Sequence, residues 1–142
     1  MTLAVDAGVA CKWLVEEAGS TEAAKLLAGN EELIAPDLVI PEVCNALRKK
    51  SRAGLIAAAQ ARELVEGIAE FFDALVPSAR LAARSFAIAE TLDHPVYDCF
   101  YLALAEHADT QLVTADARLL NRLAETTWAQ RATSIYDADG AG

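Results

Sequence analysis

The sequence has little of what a disulfide scaffold or a zinc site requires. Its 142 residues contain only three cysteines and two histidines. Cys11, Cys44 and Cys99 are odd in number and stand in apolar, helix-like stretches without close pairing, which argues against a disulfide framework or a cysteine-based metal site. His94 and His107 do not form a spaced pair of metal ligands. We therefore predict that the cysteines are small core residues, and we assign neither histidine a role.

The sequence also lacks long apolar runs and a basic leader. No apolar run reaches the ~18 residues that a membrane span needs, and the opening stretch MTLAVDAGVA has no basic flank of the kind that signal peptides carry. No segment combines high net charge with low hydrophobicity, as a disordered region would. We expect residues 1–142 to form a single soluble, cytoplasmic domain with no membrane contact, in which residues from about 137 to 142 form a frayed tail.

Positive charge is scarce as well. The chain has 12 lysines and arginines against 21 aspartates and glutamates, and its formal net charge is −9. This balance argues against long-range attraction to nucleic acid. The basic residues do cluster locally in RKKSR, Arg48 to Arg52. This cluster is either a solvated helix C-terminus, which the helix dipole favours, or a source of phosphate contacts.

Strand-like and helix-like segments alternate along the chain. Short apolar runs, some ending in an acid, are separated by stretches with apolar residues at helical spacing. We predict strands at residues 2–6, 32–35, within 73–78, 111–116 and near 132–136. We predict helices at residues 7–17, 21–29, 38–54, 57–71, 78–92, 94–107 and 117–124, with Ser20 and Asp93 as N-caps. The alternation predicts an α/β fold in which helices cover both faces of a mainly parallel sheet.

Four acidic residues lie at the ends of these elements. Asp6 and Asp116 end predicted strands, while Glu42 and Asp98 lie near the N-termini of predicted helices. In a parallel sheet the C-terminal ends of the strands share one edge with the N-termini of the helices that run back against them, and ligands usually bind there. We therefore expect the four acids to converge on one edge of the sheet.

The chemistry that such a cluster supports is metal-assisted. Clustered carboxylates repel one another unless a positive charge lies between them, and ligand sets made of oxygen alone are typical of Mg²⁺ or Mn²⁺. Such an ion can activate water and stabilise the leaving oxygen of a phosphodiester. Taken one at a time, each acid can also be explained as a helix cap or as a first-turn residue favoured by the helix dipole.

Four further residues are candidates for supporting roles. Asn45 lies about one turn after Glu42 and could orient that acid, although a plain surface amide is an equal alternative. Thr114, near the end of a predicted strand, could offer a hydroxyl to the site or could be an ordinary strand residue. Lys12 and Arg118 could contact phosphate near the pocket or could simply be exposed.

Four motifs span nearly the whole chain. They are VDAGVACKWL at 5–14, PEVCNAL at 41–47, HPVYDCFYLALAE at 94–106 and LVTADARLL at 112–120. In order and spacing they resemble the PIN-domain ribonucleases, and in particular the VapC-type toxins of bacterial toxin-antitoxin pairs. The resemblance implies a three-layer α/β/α sandwich with about five mainly parallel strands. It also implies a Mg²⁺- or Mn²⁺-dependent endoribonuclease that acts on RNA, is blocked by a VapB-like antitoxin and is usually a homodimer.

The resemblance also assigns roles to the acids. It places the metal site of the family on Asp6, Glu42, Asp98 and Asp116, with Thr114 as an accessory hydroxyl. We expect Asp6 and Asp98 to be the principal ligands and Asp116 to complete the site directly or through water. Glu42 would then be a further ligand or a base that orients water. In-line attack by water should leave a 5′-phosphate and a 3′-hydroxyl.

One position departs from the family pattern. Gly8 stands where members commonly have serine or threonine, so a hydroxyl that would orient Asp6 is missing. The alternative to an active ribonuclease is a non-catalytic PIN-like module that binds protein or RNA and has a weakened metal site. Two other classes fit less well: a phosphatase with an aspartyl nucleophile usually has a second aspartate at the place of Gly8, and a receiver domain has a lysine after a late strand.

Overall fold

A five-stranded parallel sheet organises the chain. The structure is a computed structural model, and it describes residues 1–137. The strand order is β3-β2-β1-β4-β5, and every pairing in the sheet is parallel. The strands are β1 (Thr2–Val5), β2 (Glu32–Pro36), β3 (Ala74–Val76), β4 (Leu112–Thr114) and β5 (Ala132–Ser134). The predicted α/β class is confirmed, and so are the short strands expected within 73–78 and near 132–136.

Helices make the crossovers that parallel strands require. Short 3₁₀ turns at Ile68–Phe71 and Ala129–Arg131 precede β3 and β5. The α-helices are α1 (Ala7–Leu14), α2 (Ser20–Ala28), α3 (Val39–Arg52), α4 (Ala58–Glu66), α5 (Ser78–Leu92), α6 (Val96–His107) and α7 (Ala117–Leu123).

Both faces of the central strands are buried. Successive side chains of a strand point to opposite faces of the sheet. Ala4 and Leu112 pack in one hydrophobic core, whereas Val5 and Val113 pack in a second one. All four residues are fully buried, which is why these strands appear in the sequence as continuous apolar runs. The sheet is therefore the middle layer of three.

Helix α6 is buried over most of its surface. Leu102, Leu104 and Ala105 are fully buried, and Tyr101 nearly so. The helix packs against α5 and against three strands of the sheet, β1, β2 and β4. A helix enclosed in this way has no continuous polar face, so the isolated carboxylate of Asp98 in its first turn stands out.

Both predicted N-caps are wrong. The cap of α2 is Gly19, with φ +90°, and Ser20 is the first residue of the helix. The Ser20 hydroxyl instead accepts a hydrogen bond from the Glu17 N–H (2.9 Å) and donates one to the Val15 carbonyl (3.2 Å). A β-carbon at Gly19 would lie 3.0 Å from the Lys12 side chain. The tight turn before α2 therefore requires glycine and uses the serine to brace the loop.

Asp93 ends one helix and does not begin the next. It is the C-cap of α5, with φ +50°, and its N–H donates to the Ala89 carbonyl. The N-cap of α6 is Pro95, which has no capping side chain. Aspartate tolerates the left-handed conformation that ends a helix better than most residues do, and this property outweighs its N-capping preference here.

The predicted helix 57–71 is interrupted. The α-helical part, α4, ends at Glu66, and Gly67 separates it from the 3₁₀ turn Ile68–Phe71. Glycine costs helical stability because it adds backbone entropy to the unfolded chain. The apolar pattern continued through this break because Ile68 is itself buried against the core.

The cysteines lie where the sequence predicts. Cys11 and Cys99 are buried, half-buried Cys44 packs against the core, and all three are free thiols. Burial raises the pKa of Cys11 and that of Cys99 to about 11. Neither buried thiol is therefore ionised at neutral pH, which suits packing and not reactivity.

Two further predictions concern membrane contact and the C-terminal tail. Within residues 1–137, no helix is both long enough and apolar enough to cross a membrane. Asp137 is the first residue of the tail that was expected to fray. It lies in a turn, in which its N–H donates a hydrogen bond to the Ser134 carbonyl. The rest of that tail, residues 138–142, lies outside the described residues.

The burial of α6 predicts a large stability effect for one truncation. Leu102→Ala should lower the free energy of unfolding by about 2–5 kcal/mol, because it leaves a cavity at a fully buried position. The matched control is Leu55→Ala: Leu55 is 69% exposed, and its truncation should change the free energy of unfolding by less than about 0.5 kcal/mol. Chemical denaturation followed by circular dichroism measures both. Equal losses would contradict the position of α6 in the core.

Candidate active site

The strand order creates a crevice between β1 and β4. From β1 the chain builds β2 and β3 on one side, then returns to build β4 and β5 on the other. Ligands of open parallel sheets bind at such a reversal, outside the C-terminal ends of the strands. Val5 of β1 pairs with Val113 of β4, so the next residues along each strand, Asp6 and Thr114, lie side by side at the crevice.

Asp6 is held by both strands. One oxygen of its carboxylate, Oδ1, accepts a hydrogen bond from the Val9 N–H at 2.9 Å and so caps α1. The Thr114 hydroxyl lies beside the same carboxylate and lowers its pKa. Burial nevertheless raises the pKa of Asp6 to about 6, and the charges of Asp98 and Asp116 add to the rise. Asp6 is thus both a helix cap and a carboxylate whose ionised form is destabilised.

Thr114 links Asp6 to Asp116. Its Oγ1 accepts a hydrogen bond from the Asp116 N–H at 3.0 Å, and the Thr114 side chain is completely buried. The exposed Asp116 then caps α7, since its Oδ1 accepts from the N–H groups of Arg118 (2.9 Å) and Leu119 (3.2 Å). The structure therefore places Thr114 between the two strand-end acids.

Glu42 is positioned by a residue that the sequence did not suggest. It lies in the first turn of α3, and the phenol of Tyr101 on α6 donates a hydrogen bond to its Oε1 at 2.6 Å. Burial and then the charge of Asp98 raise the pKa of Glu42, while the phenol opposes this rise. The only signal in the sequence was a tyrosine inside a buried helix, because a buried phenol needs a hydrogen-bond partner.

Asp98 also has a partner that was missed. It is half-buried in the first turn of α6, and its Oδ2 lies 2.7 Å from Nε2 of His94. The spacing of four residues was the available signal, but His94 was given no role because it does not pair with another histidine. His107 is exposed at the other end of α6. The structure thus gives one of the two histidines a specific contact.

The four acids line one cavity. Its volume is about 310 Å³, and its walls include Tyr101 and a single basic residue, Lys12, among the described residues. Lys12 is not free to neutralise the acids, because its ammonium donates to Oε2 of Glu17 (3.1 Å) and to the Ala18 carbonyl (2.6 Å). Besides Glu17, which pairs with Lys12, the acids that line this cavity are Asp6, Glu42, Asp98 and Asp116.

The carboxylate oxygens of this cavity are the type of ligand that a hard divalent cation prefers, although the side chains are not gathered around one point. Within residues 1–137, no three His, Cys, Asp or Glu side chains form a group that could hold a metal ion as they stand. Each of the four carboxylates is hydrogen-bonded to a protein partner, and without a cation they repel one another. Mg²⁺ takes only one or two carboxylates and keeps several waters. The cavity can therefore supply its ligands.

Two other predicted residues lie beside the acids and not among them. Asn45 is exposed and lines a neighbouring cavity with Glu42, not the cavity of the four acids. Arg118 is exposed in the first turn of α7, where its backbone N–H binds Asp116. Asn45 lies about one helical turn after Glu42, toward the C-terminus of α3.

The chain is similar to proteins of one family. A PIN-domain model matches residues 3–125. Ribonuclease VapC3 from Pyrobaculum aerophilum is 36% identical to this chain over 124 residues, which are 86% of this chain and 95% of that protein. Ribonuclease VapC9 from Mycobacterium tuberculosis is 32% identical over 117 residues, which are 82% of this chain and 87% of that protein.

A solved structure shares the fold. The crystal structure of PAE2754 from Pyrobaculum aerophilum matches with a TM-score of 0.70 and 24% sequence identity, over 97% of this chain and 92% of that one. At this identity the match concerns the fold alone, and it confirms the predicted three-layer sandwich. The resemblance drawn from the four motifs is confirmed by the family match and by the VapC relatives. The chain belongs to the PIN-domain family.

Proposed function

We propose that this protein is a Mg²⁺- or Mn²⁺-dependent endoribonuclease and the toxin of a VapBC-type toxin-antitoxin pair. The observation that carries the proposal is the convergence of four acids on one cavity at the reversal of strand order. The names of the relatives, ribonucleases VapC3 and VapC9, support RNA as the substrate. The same names support a VapB-like antitoxin as the partner.

A divalent cation is the resident cofactor in this proposal. Asp6 and Asp98 would be its principal ligands, with Asp116 bound directly or through water and Glu42 as a further ligand. When bound, the ion supplies activation of water and stabilisation of the leaving oxygen of a phosphodiester. The raised pKa of Asp6 and that of Glu42 support this fit, because burial and then neighbouring carboxylates destabilise the charged form of each, and a bound cation would stabilise it.

The protein's own side chains prepare the acids for this task. The Thr114 hydroxyl orients Asp6, and His94 orients Asp98. Tyr101 fixes Glu42 from the opposite helix. Burial raises the pKa of Glu42, and a raised pKa makes a carboxylate a better acceptor of a proton. Glu42 lies in the first turn of α3. The proposed proton acceptor is therefore on a helix beside the strand ends and not on a strand end itself.

The proposal extends to the state of the protein in the cell. We infer a cytoplasmic homodimer in which residues 1–142 form one domain, as the VapC resemblance implies. The alternative, a PIN-like module that binds protein or RNA without cleaving it, differs in one respect that can be measured. A non-catalytic module should show no metal binding that depends on the acids of the cavity.

Substitution of the principal ligands should abolish both activity and metal binding. We expect Asp6→Asn and Asp98→Asn each to lower Mg²⁺-dependent cleavage of an RNA pool by on the order of 100-fold or more, because each removes a ligand charge. The matched control is Asp109→Asn, since Asp109 is exposed beyond the C-terminus of α6. Cleavage assays and calorimetric Mg²⁺ titration measure the two effects. Full activity of Asp98→Asn would overturn the proposed site.

The raised pKa of Asp6 predicts that metal binding depends on pH. In the free protein Glu42, Asp98, Asp116 and Lys12 face the same cavity, and the Asp6 carboxyl keeps its proton up to about pH 6. Below that pH a cation must displace the proton, so Mn²⁺ should raise Tm more at about pH 7.5 than at about pH 5. Thermal unfolding with and without Mn²⁺ measures the difference, which Asp6→Asn should remove.

Without metal, the sign of the pH dependence is the opposite. The pKa of Asp6 in the folded chain, about 6, is above the ordinary value of 3.8 expected in the unfolded chain. The folded state therefore binds the proton more tightly between these values, and the contribution of Asp6 to stability is lost as the pH rises through 6. The metal-free Asp6→Asn variant should lack this loss. A wild-type Tm that rises over the same range by more than that of the variant would contradict the raised pKa.

Restoring the missing hydroxyl should strengthen the site. A β-carbon at Gly8 would lie 3.5 Å from Oδ1 of Asp6, an ordinary contact, with no other heavy atom that close. We expect Gly8→Ser to tighten Mg²⁺ binding by up to about 10-fold, because its hydroxyl can donate to Asp6. Gly8→Ala is the matched control, since it adds the β-carbon without the donor. Equal affinities for the two variants would show that the hydroxyl is unnecessary here.

A further inference from the structure

A second cavity adjoins the cavity of the four acids. Its volume is about 360 Å³, and it runs along α3 toward the C-terminus of that helix. Ala7, Gly8, Glu17 and Glu42 line both cavities. Because the two spaces share these four walls, they form one continuous trough over the N-terminus of α1.

The two ends of the trough differ in charge. One end holds the carboxylates of the proposed metal site, whereas the other adds Asn45, Lys49 and Lys50 to the two glutamates that both cavities share. In a chain with a formal net charge of −9, basic side chains placed next to the acids are a specific local feature and not part of a general positive surface. Among the described residues, Lys49 and Lys50 line the second end of the trough, and Lys12 is the basic residue that lines the first.

Glu17 holds one of these cations in place. Its Oε2 lies 3.1 Å from the Lys12 ammonium, and its Oε1 lies 3.1 Å from the Lys50 ammonium. One carboxylate is thus shared by two lysines, so Glu17 does not fully neutralise either of them. The contact also ties the loop after α1 to the end of α3.

Lys49 is the cation that remains available. It is exposed, and its side chain has no hydrogen bond or ion pair with any residue of the described range 1–137. Asn45 lies one helical turn before it and is also exposed, so an amide donor and an ammonium face the same cavity. Lysine and asparagine donors are typical of contacts to phosphate and sugar oxygens.

We propose that the second cavity binds the sugar-phosphate backbone of single-stranded RNA next to the scissile bond, with Lys49 and Asn45 as its contacts and Lys50 held beside them by Glu17. The proposal rests on the proposed function, because the trough leads from this cavity directly to the acids. An acidic peptide is the other ligand that these cations could take. RNA is favoured because the second cavity adjoins the acids of the proposed ribonuclease site, where a phosphodiester has to lie to be cleaved.

Binding of a short, labelled single-stranded RNA tests the subsite. The full chain carries Asp98→Asn throughout so that the probe stays intact, and fluorescence anisotropy is measured at constant Mg²⁺ over a series of KCl concentrations. Adding Lys49→Gln should weaken binding roughly 3- to 5-fold and reduce the slope of log K against log [KCl] by about 0.7, the value for one phosphate contact on a single strand. Asn45→Ala should weaken binding with little change in slope, because it removes a neutral donor.

A matched loss of charge serves as the control. Arg80→Gln removes one positive charge from an exposed position on α5 outside both cavities, and it should leave affinity and slope almost unchanged. Equal effects of Arg80→Gln and Lys49→Gln would overturn the subsite in favour of general electrostatics. Tighter binding of a labelled polyglutamate peptide than of RNA, again lost with Lys49→Gln, would overturn it in favour of an acidic peptide.

Cleavage by the chain without Asp98→Asn separates this proposal from the function on which it rests. If Lys49→Gln leaves RNA affinity unchanged while the parent chain cleaves RNA with Mg²⁺, the subsite is wrong and the ribonuclease stands. If the parent chain neither binds nor cleaves RNA, both proposals are wrong.

Discussion

The parallel pairing of β1 with β4 is the contact on which the site depends. The two strands are more than a hundred residues apart in sequence, and their register sets Val5 against Val113. One residue further on, Asp6 lies beside Thr114, whose hydroxyl lowers the pKa of the Asp6 carboxyl and accepts a hydrogen bond from the Asp116 N–H. A shift of this register by one residue would reverse which face each side chain occupies. It would therefore separate the acids and disturb both buried cores.

The site concentrates charge that the fold does not neutralise. Burial and neighbouring carboxylates raise the pKa of Asp6 to about 6, while Lys12, the basic residue nearest to the acids along the described cavity wall, is committed to Glu17. This arrangement costs stability unless a cation binds. Asp6 and Asp116 offset part of this cost because their carboxylates cap helices α1 and α7. Each of these two acids can therefore be a helix cap and a proposed catalytic residue at the same time.

Much of the fold followed from local pattern, and the errors have local causes. The five strands and the order of helices were predicted because apolar runs and helical spacing are strong signals. Ser20 and Asp93 were misassigned because a capping residue can also brace a loop or end a helix, and backbone dihedrals decide between these roles. The break at Gly67 was hidden by the continued burial of Ile68.

The sequence by itself determined the fold class, the PIN-domain resemblance and the acids that meet at the sheet edge, because each depends on residue type and order. Only the tertiary structure decided which partners hold those acids. The hydrogen bond from Tyr101 to Glu42 joins residues of two helices that are 59 positions apart in the sequence, and no periodic pattern encodes such a contact. The position of Asn45 outside the acid cavity, and the trough that it shares with Lys49, likewise depend on how α3 packs across α1.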